Sequence, residues 1–243
     1  MDDDLRYLKA KNFFEVNMIK DYDSRKMQQI TEKEVEFLIR KMGCKDSKIL
    51  EIMCGYGRIA NELIKKGYRN VSGIDIGKFD FLKVKKNFNF INMDFYKYGS
   101  LGDKYDYIYS IYNSYANYDE LLQLIKSSEK IIKENGILIV DIFSKEWRDT
   151  LPGSQHRIVY SSNMVEVELF RRYDDGLETS IYQVYNKCTN EIYKYQFTQC
   201  MIDKDRLLKI IPEGWNFTLT TSKDEKTRED NQKHILILRK EGK

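Results

Sequence analysis

The apolar positions of the chain change period at about residue 150. Before it, short apolar runs alternate with stretches of helical spacing. Ile49, Leu50, Ile52 and Met53 form a run compact and β-branched enough for a buried strand. VSGIDI at 71–76, the short run at 88–93, YDYIYSIY at 105–112 and ILIVDIF at 137–143 predict four more. Val35, Leu38, Ile39 and Met42 recur at helical spacing, with Thr31 and Glu34 as a T-x-x-E capping box and Gly43 as the stop. Further helices are predicted at about 58–66, 79–87 and 119–134, and one or two more across the polar, aromatic-dotted first 30 residues. Strands alternating with helices in this way predict a parallel sheet with crossover helices.

After 150 the period becomes two. HRIVY, MVEVELFRRY, ETSIYQVYNK and EIYKYQFTQCMI alternate apolar with polar residues, and Asp174-Asp175-Gly176 and Thr189-Asn190 supply turns. This predicts an antiparallel meander. Asp203 can cap a short helix closed near Pro212 and Gly214. WNFTLTTSK and HILILRK, on either side of the polar tip DEKTREDNQK, predict two last strands that return to the main sheet as an antiparallel edge. The fold class expected is α/β: a doubly wound, mostly parallel seven-stranded sheet with an inserted antiparallel β-sheet cap. Residues 1–150 and 201–243 would form one domain, and 151–200 the cap, for substrate binding or dimerisation.

Composition narrows the function classes. A chain of 243 residues suits one large domain, or one domain carrying an insertion. Lys and Arg number 41 against 38 acids, which makes no electrostatic case for a nucleic-acid or membrane partner. LKVKK at 82–86 is the best basic patch and reads as the solvated face of a helix. No apolar run approaches ~18 residues, so no membrane span is expected, and the acidic opening MDDDLRYLK does not resemble a signal peptide. Cys44, Cys54, Cys188 and Cys200 have neither metal-like nor disulfide-like spacing, which suits a reducing cytoplasm and predicts no metal.

The candidate chemistry gathers at strand ends. Cys54-Gly55-Tyr56-Gly57 joins the first strand to a helix starting at Arg58, with Glu51 as the acid inside the strand. A glycine turn lets backbone approach a ligand, and a helix start offers unpaired N–H groups. Asp75, Asp94 and Tyr112 all fall at or just past later strand C-termini, where open α/β sheets bind ligands.

With these motifs the chain resembles the class I S-adenosylmethionine-dependent methyltransferases, over roughly 25–145 and 200–240. EIMCGYGRIANELIKKGY resembles the family's first motif, GIDIG its second, NMDF its third and YDYIYSIYNSY its fourth. VEVELFRRYDDGLETSIYQVYN resembles the β-rich insertion of small-molecule N-methyltransferases. One position departs: the family's further glycine, two residues after the acid, is Met53 here. The resemblance implies a Rossmann-like fold, S-adenosyl-L-methionine as cofactor and S-adenosyl-L-homocysteine as product. It implies that the Cys54, Gly55, Gly57 turn meets the ribose and amino-acid tail and that Glu51 holds the tail ammonium. Asp75 would accept from the ribose hydroxyls and Asp94 from the adenine amino group, with Ile76 and Phe95 sandwiching the ring. Tyr22, and with it Tyr7, would close over the site. For Asp75 and Asp94 the competing role is a turn or helix cap.

Methyl transfer is an in-line displacement, so positioning can supply much of the acceleration and a general base is optional. Tyr112, Asn113, Ser114 and Tyr115 would line the space between donor and acceptor, with Tyr112 and Asn113 the catalytic candidates. His156 is a candidate proton acceptor, its competing role that of a surface histidine; His234 reads as structural. YNSY replaces the [N/D]-P-P-[Y/F] turn of adenine and glutamine methylation, and no cysteine between Cys54 and Cys188 can serve pyrimidine C5 methylation. A small-molecule acceptor under the inserted sheet remains, nitrogen favoured over oxygen, with the cap also a possible homodimer surface. The alternatives are an RNA methyltransferase, a catalytically silent cofactor-binding partner, and a dinucleotide oxidoreductase. The last would need a glycine at Ala60.

Overall fold

The computed structural model describes residues 25–77, 88–113, 115–229 and 232–242. The helix expected at 79–87, the LKVKK patch and residues 1–24 lie outside the described residues. The main sheet has seven strands: β1 (Lys48–Ile52), β2 (Asn70–Asp75), β3 (Asn89–Asn92), β4 (Tyr105–Ser110), β5 (Ile132–Phe143), β10 (Trp215–Thr221) and β11 (Lys233–Lys240). Their order is β10-β11-β5-β4-β1-β2-β3, all parallel except β11, which runs antiparallel to both its neighbours. Chain direction across the sheet reverses between β1 and β4, so their C-terminal ends frame a crevice.

Alternate residues of the strands serve two cores. Leu50, Ile52, Ile74, Ile108 and Leu138 pack beneath helix α3 (Tyr118–Ile131). Ile49, Val71, Tyr109 and Ile139 pack against α1 (Arg25–Lys41) and α2 (Arg58–Lys65) on the other face. Such two-sided burial is what near-continuous apolar strands require. The last two strands return to the main sheet as the expected antiparallel edge, and the same reasoning orders them. HILILRK lies between β5 and β10 with Ile235, Leu236 and Leu238 buried, so β10 is the edge strand.

The capping box is also corrected. Thr31 and Glu34 lie inside α1, which is already helical at Arg25. Thr31 donates its hydroxyl to the Met27 carbonyl at 2.7 Å, and Glu34 is 1% exposed. A spacing of three places both side chains on one helix face, which serves an inward-facing ion pair as well as a cap.

The second sheet is an antiparallel meander of β6 (Ser154–Ser161), β7 (Val165–Asp174), β8 (Leu177–Asn186) and β9 (Glu191–Cys200). Asp175 and Gly176, at φ 43° and 79°, form the β7–β8 turn. Val165, Val167, Leu169, Tyr182 and Val184 bury one face. The sheet is tied back to the main one where Cys200 N–H donates to the Tyr115 carbonyl (2.7 Å) and Ile202 bridges Ser144. Short helices α4 (Lys145–Arg148) and α5 (Lys204–Lys209) flank this junction, α5 capped by Asp203 as expected. Among the described residues no helix is long and apolar enough to cross a membrane.

Candidate active site

The loop after β1 is built from left-handed residues: Met53 at φ 54°, Gly55 at 54° and Gly57 at 72°. Met53 follows the path of the missing glycine, a conformation that costs an L-residue about 1–2 kcal/mol. The loop closes on itself and on β2 through Gly57 N–H to the Cys54 carbonyl (2.8 Å) and Cys54 N–H to the Ile74 carbonyl (2.9 Å). A Cβ on Gly57 would meet Phe88 Cε1 at 2.7 Å, so this glycine admits the Phe88 ring as well as the positive φ. Cys54 is 6% exposed and its thiol packs inward beside Gly73, its pKa raised by burial; it shapes the loop from behind.

Glu51 lies beneath the same loop, 4% exposed. Its Oε2 accepts from Ala60 N–H (3.2 Å), satisfying a free donor at the start of α2, and from the Tyr109 hydroxyl (3.1 Å). Burial pushes its pKa up to about 8, against the opposing pull of Arg58 and both hydrogen bonds. Asp75 ends β2 and spans the crevice: Oδ2 accepts from Gly55 N–H and Oδ1 from Gly77 N–H, each at 2.8 Å. Burial raises its pKa. Each oxygen keeps a further lone-pair direction for a ligand hydroxyl. Ile76 follows, 70% exposed, an apolar side chain left open at the mouth. Asn92, overlooked in the sequence, donates to the Asp75 and Ile76 carbonyls at 3.1 Å and holds this turn. Asp94 caps the 3-10 turn Phe95–Ser100 through Tyr96 N–H (2.9 Å), and Phe95 is half-buried against the core.

Tyr112 stands past β4 at φ 66°, its N–H donated to Asp141 Oδ1 at 2.8 Å. Three cations approach its ring: Arg58 (5.3 Å), Arg228 (5.0 Å) and Lys233 (5.1 Å). Glu34 ties the two arginines at 2.7 and 3.1 Å, and Asp141 Oδ2 lies 3.0 Å from Lys233 Nζ. Burial raises the Asp141 pKa and lowers that of Lys233. Asn113 is a clamp: its amide donates to the Ile52 carbonyl (3.1 Å) and Ser110 Oγ (3.0 Å), locking the β4 loop to the end of β1. Tyr115 is 2% exposed and bonded to Ser110. Tyr7, Tyr22 and Ser114 lie outside the described residues.

A cavity of about 120 Å³ opens between the strand ends and the inserted sheet. Tyr112, Phe143 and Trp147 form one wall, and Gln155, Arg171 and Glu178 the other. His156 is not brought to it. Successive strand residues face opposite ways, so Gln155 faces the cavity and His156 the far side. There His156 is stacked on Phe170 at 4.2 Å, lies 3.7 Å from Glu168, and lines an open depression of about 460 Å³. Arg171 and Glu178 were missed in the sequence, although they share the phase of Leu169 and Tyr182. A charge in the apolar phase of an alternating strand was the available signal.

The sequence profile of the family described as "Methyltransferase domain" matches residues 49–136, which span this crevice from β1 into β5. The chain carries a class I, S-adenosylmethionine-dependent methyltransferase domain. Its fold is that of solved methyltransferases. One is CcbJ from Streptomyces caelestis, at TM-score 0.71 and 16% identity, covering 87% of this chain and 90% of that one. A second is the sugar N-methyltransferase KedS8 from Streptoalloteichus sp, at TM-score 0.68 and 14% identity, with 91% of each covered. A third is CalS10 from Micromonospora echinaspora, an amino pentose methyltransferase solved with S-adenosylmethionine bound, at TM-score 0.66 and 11% identity, covering 96% and 100%. No curated protein matches the chain by sequence. The methyltransferase's own residues fit its cofactor: a carboxylate with spare acceptors at the β2 end, left-handed glycines beside it, and an uncovered apolar Ile76.

Proposed function

We propose that this methyltransferase transfers a methyl group to the amine of a small molecule seated under the inserted sheet. The observation that carries the reading is the cavity that joins Tyr112 and Phe143 to Gln155, Arg171 and Glu178. It faces the strand ends at which Asp75 would hold the ribose, Asp94 the adenine edge, and Ile76 and Phe95 the ring. The cofactor, when bound, supplies a methyl on a sulfonium that is already a good leaving group. The chain's part is then to hold donor and acceptor in line and exclude water. Glu51 acts from below, fixing the loop that carries Gly55 and Gly57. Tyr112, held by Asp141, stands at the cavity wall.

Nitrogen is favoured by what lines the cavity. A neutral amine attacks without losing a proton first, whereas a hydroxyl calls for a base. Glu178, the carboxylate in the wall, is committed to Arg148 and Gln199, and His156 points away. The N-methyltransferase activity of KedS8 points the same way. The small net charge of +3 and four free cysteines support a small-molecule acceptor and a reducing cytoplasm. Calorimetric titration with S-adenosylmethionine and S-adenosylhomocysteine tests the reading. Wild type should bind both, Asp75→Ala at least roughly tenfold more weakly, and radiolabelled methyl should reach amines before alcohols. No binding by folded wild type overturns the reading.

A further inference from the structure

Among the described residues, four arginines are buried or half-buried. Three have carboxylate partners. Arg58 and Arg228 share Glu34 at 2.7 and 3.1 Å, and Arg148 meets Glu178 at 2.5 Å. Among the described residues no carboxylate, carbonyl or ring pairs with the Arg171 side chain, and its Nε is buried without a hydrogen-bond partner. A buried donor left unmade is costly, and a charged one more so. The acid that lines the cavity is bonded elsewhere: Glu178 Oε2 accepts from Arg148 Nε and Oε1 from Gln199 Nε2 at 3.0 Å. With Glu178 and Arg148 cancelling, the described residues of the cap wall keep one positive charge. The same Glu178 is flanked by an unused Arg148 Nη2, also buried.

We propose that Arg171 binds an oxyanion, carboxylate or phosphate, on the methyl acceptor, so that the acceptor is an anionic amine; this rests on the methyltransferase reading of the site. A guanidinium presents a planar fork that matches such oxygens two at a time. Arg171 and Tyr112 line one cavity of about 120 Å³, so the anion and the nucleophile belong to one compact molecule. The pairing also helps the chemistry. A carboxylate beside an amine favours its protonated form, and neutralising that carboxylate with Arg171 lowers the amine pKa toward the nucleophilic free base.

Two readouts test this on the full chain saturated with S-adenosylhomocysteine or S-adenosylmethionine. In the first, the side-chain ¹⁵N–¹H signal of Arg171 Nε, identified by its loss in Arg171→Lys, is followed on adding sodium acetate or sodium phosphate, with sodium chloride as control. A saturable shift with acetate alone assigns a carboxylate, and with phosphate alone a phosphate; no saturable shift with either overturns the proposal. In the second, initial rates are compared for β-alanine, phosphoethanolamine and ethanolamine. An anionic amine should be preferred, and Arg171→Gln should raise its KM roughly ten- to hundredfold with a smaller effect on kcat, partly restored in Arg171→Lys. Ethanolamine, which has no oxyanion, should be used equally by wild type and Arg171→Gln; an unchanged KM of Arg171→Gln for both β-alanine and phosphoethanolamine overturns the proposal while leaving the methyltransferase reading intact. Failure to bind S-adenosylhomocysteine sinks the methyltransferase reading, and the anion titration of Arg171 still answers its own question.

Discussion

Glu51→Gln should stabilise the free protein, and by an amount that grows with pH. Glu51 is 4% exposed and burial pushes its pKa from 4.5 up to about 8. Between those values the native protein holds a proton that the unfolded chain has released. The native state therefore binds more protons, and stability falls as pH rises through this window. Below about 4.5 both states are protonated and the burial cost of the charge is absent; above about 8 both are ionised and it is fully present. Each pH unit within the window costs about 1.4 kcal/mol, so about 3 kcal/mol between pH 5 and 7. Glutamine cannot ionise, and its one carbonyl oxygen can take both donors, because Ala60 N–H and the Tyr109 hydroxyl converge on Oε2. The variant's advantage should be small at pH 5 and about 3 kcal/mol larger at pH 7, roughly 5–11 °C in Tm for a chain of this size. Urea and thermal unfolding of both proteins at pH 5, 6, 7 and 8 measure it. Parallel stability curves would show that Arg58 and the two hydrogen bonds fully offset desolvation, and would refute the reasoning.

Gly73→Ala places a Cβ 2.5 Å from Phe88 Cζ and 2.8 Å from Cys54 Sγ, and should destabilise by about 1–3 kcal/mol through overpacking; adding Phe88→Leu should recover part of the loss in thermal unfolding. At position 53, where φ is 54°, Gly should be more stable than Ala by about 1 kcal/mol in urea titration, reversing the helix-interior order. Glu178→Ala leaves Arg148, 1% exposed, without its counter-charge and should cost about 3–5 kcal/mol. Replacing Arg148 and Glu178 together with methionines should cost much less, which the same titration reads.

Much of the fold could be read along the chain. The short apolar runs of β1, β2 and β4 and the two-residue alternation of β7 and β8 depend on neighbours two to four residues apart, so local pattern reports them. Asp75 was visible for the same reason, since a strand end is a local feature. Thr31 and Glu34 misled because a spacing of three describes a helix face without saying what lies opposite. Gln155 and His156 differ only in phase, and a strand's phase has meaning once one face is covered.

By itself, the order of apolar runs and glycine turns determined a doubly wound sheet, a ligand crevice at its carboxyl edge and an inserted meander. Only the tertiary structure decided that β11 is an interior strand and that Arg228, from the tip between β10 and β11, reaches Glu34 across 194 positions of sequence. It also decided that Arg148 is answered by Glu178 while, among the described residues, Arg171 Nε is left without a partner at the cavity wall. Periodicity is a property of a segment, whereas the partner of a buried charge depends on which segments fold against each other.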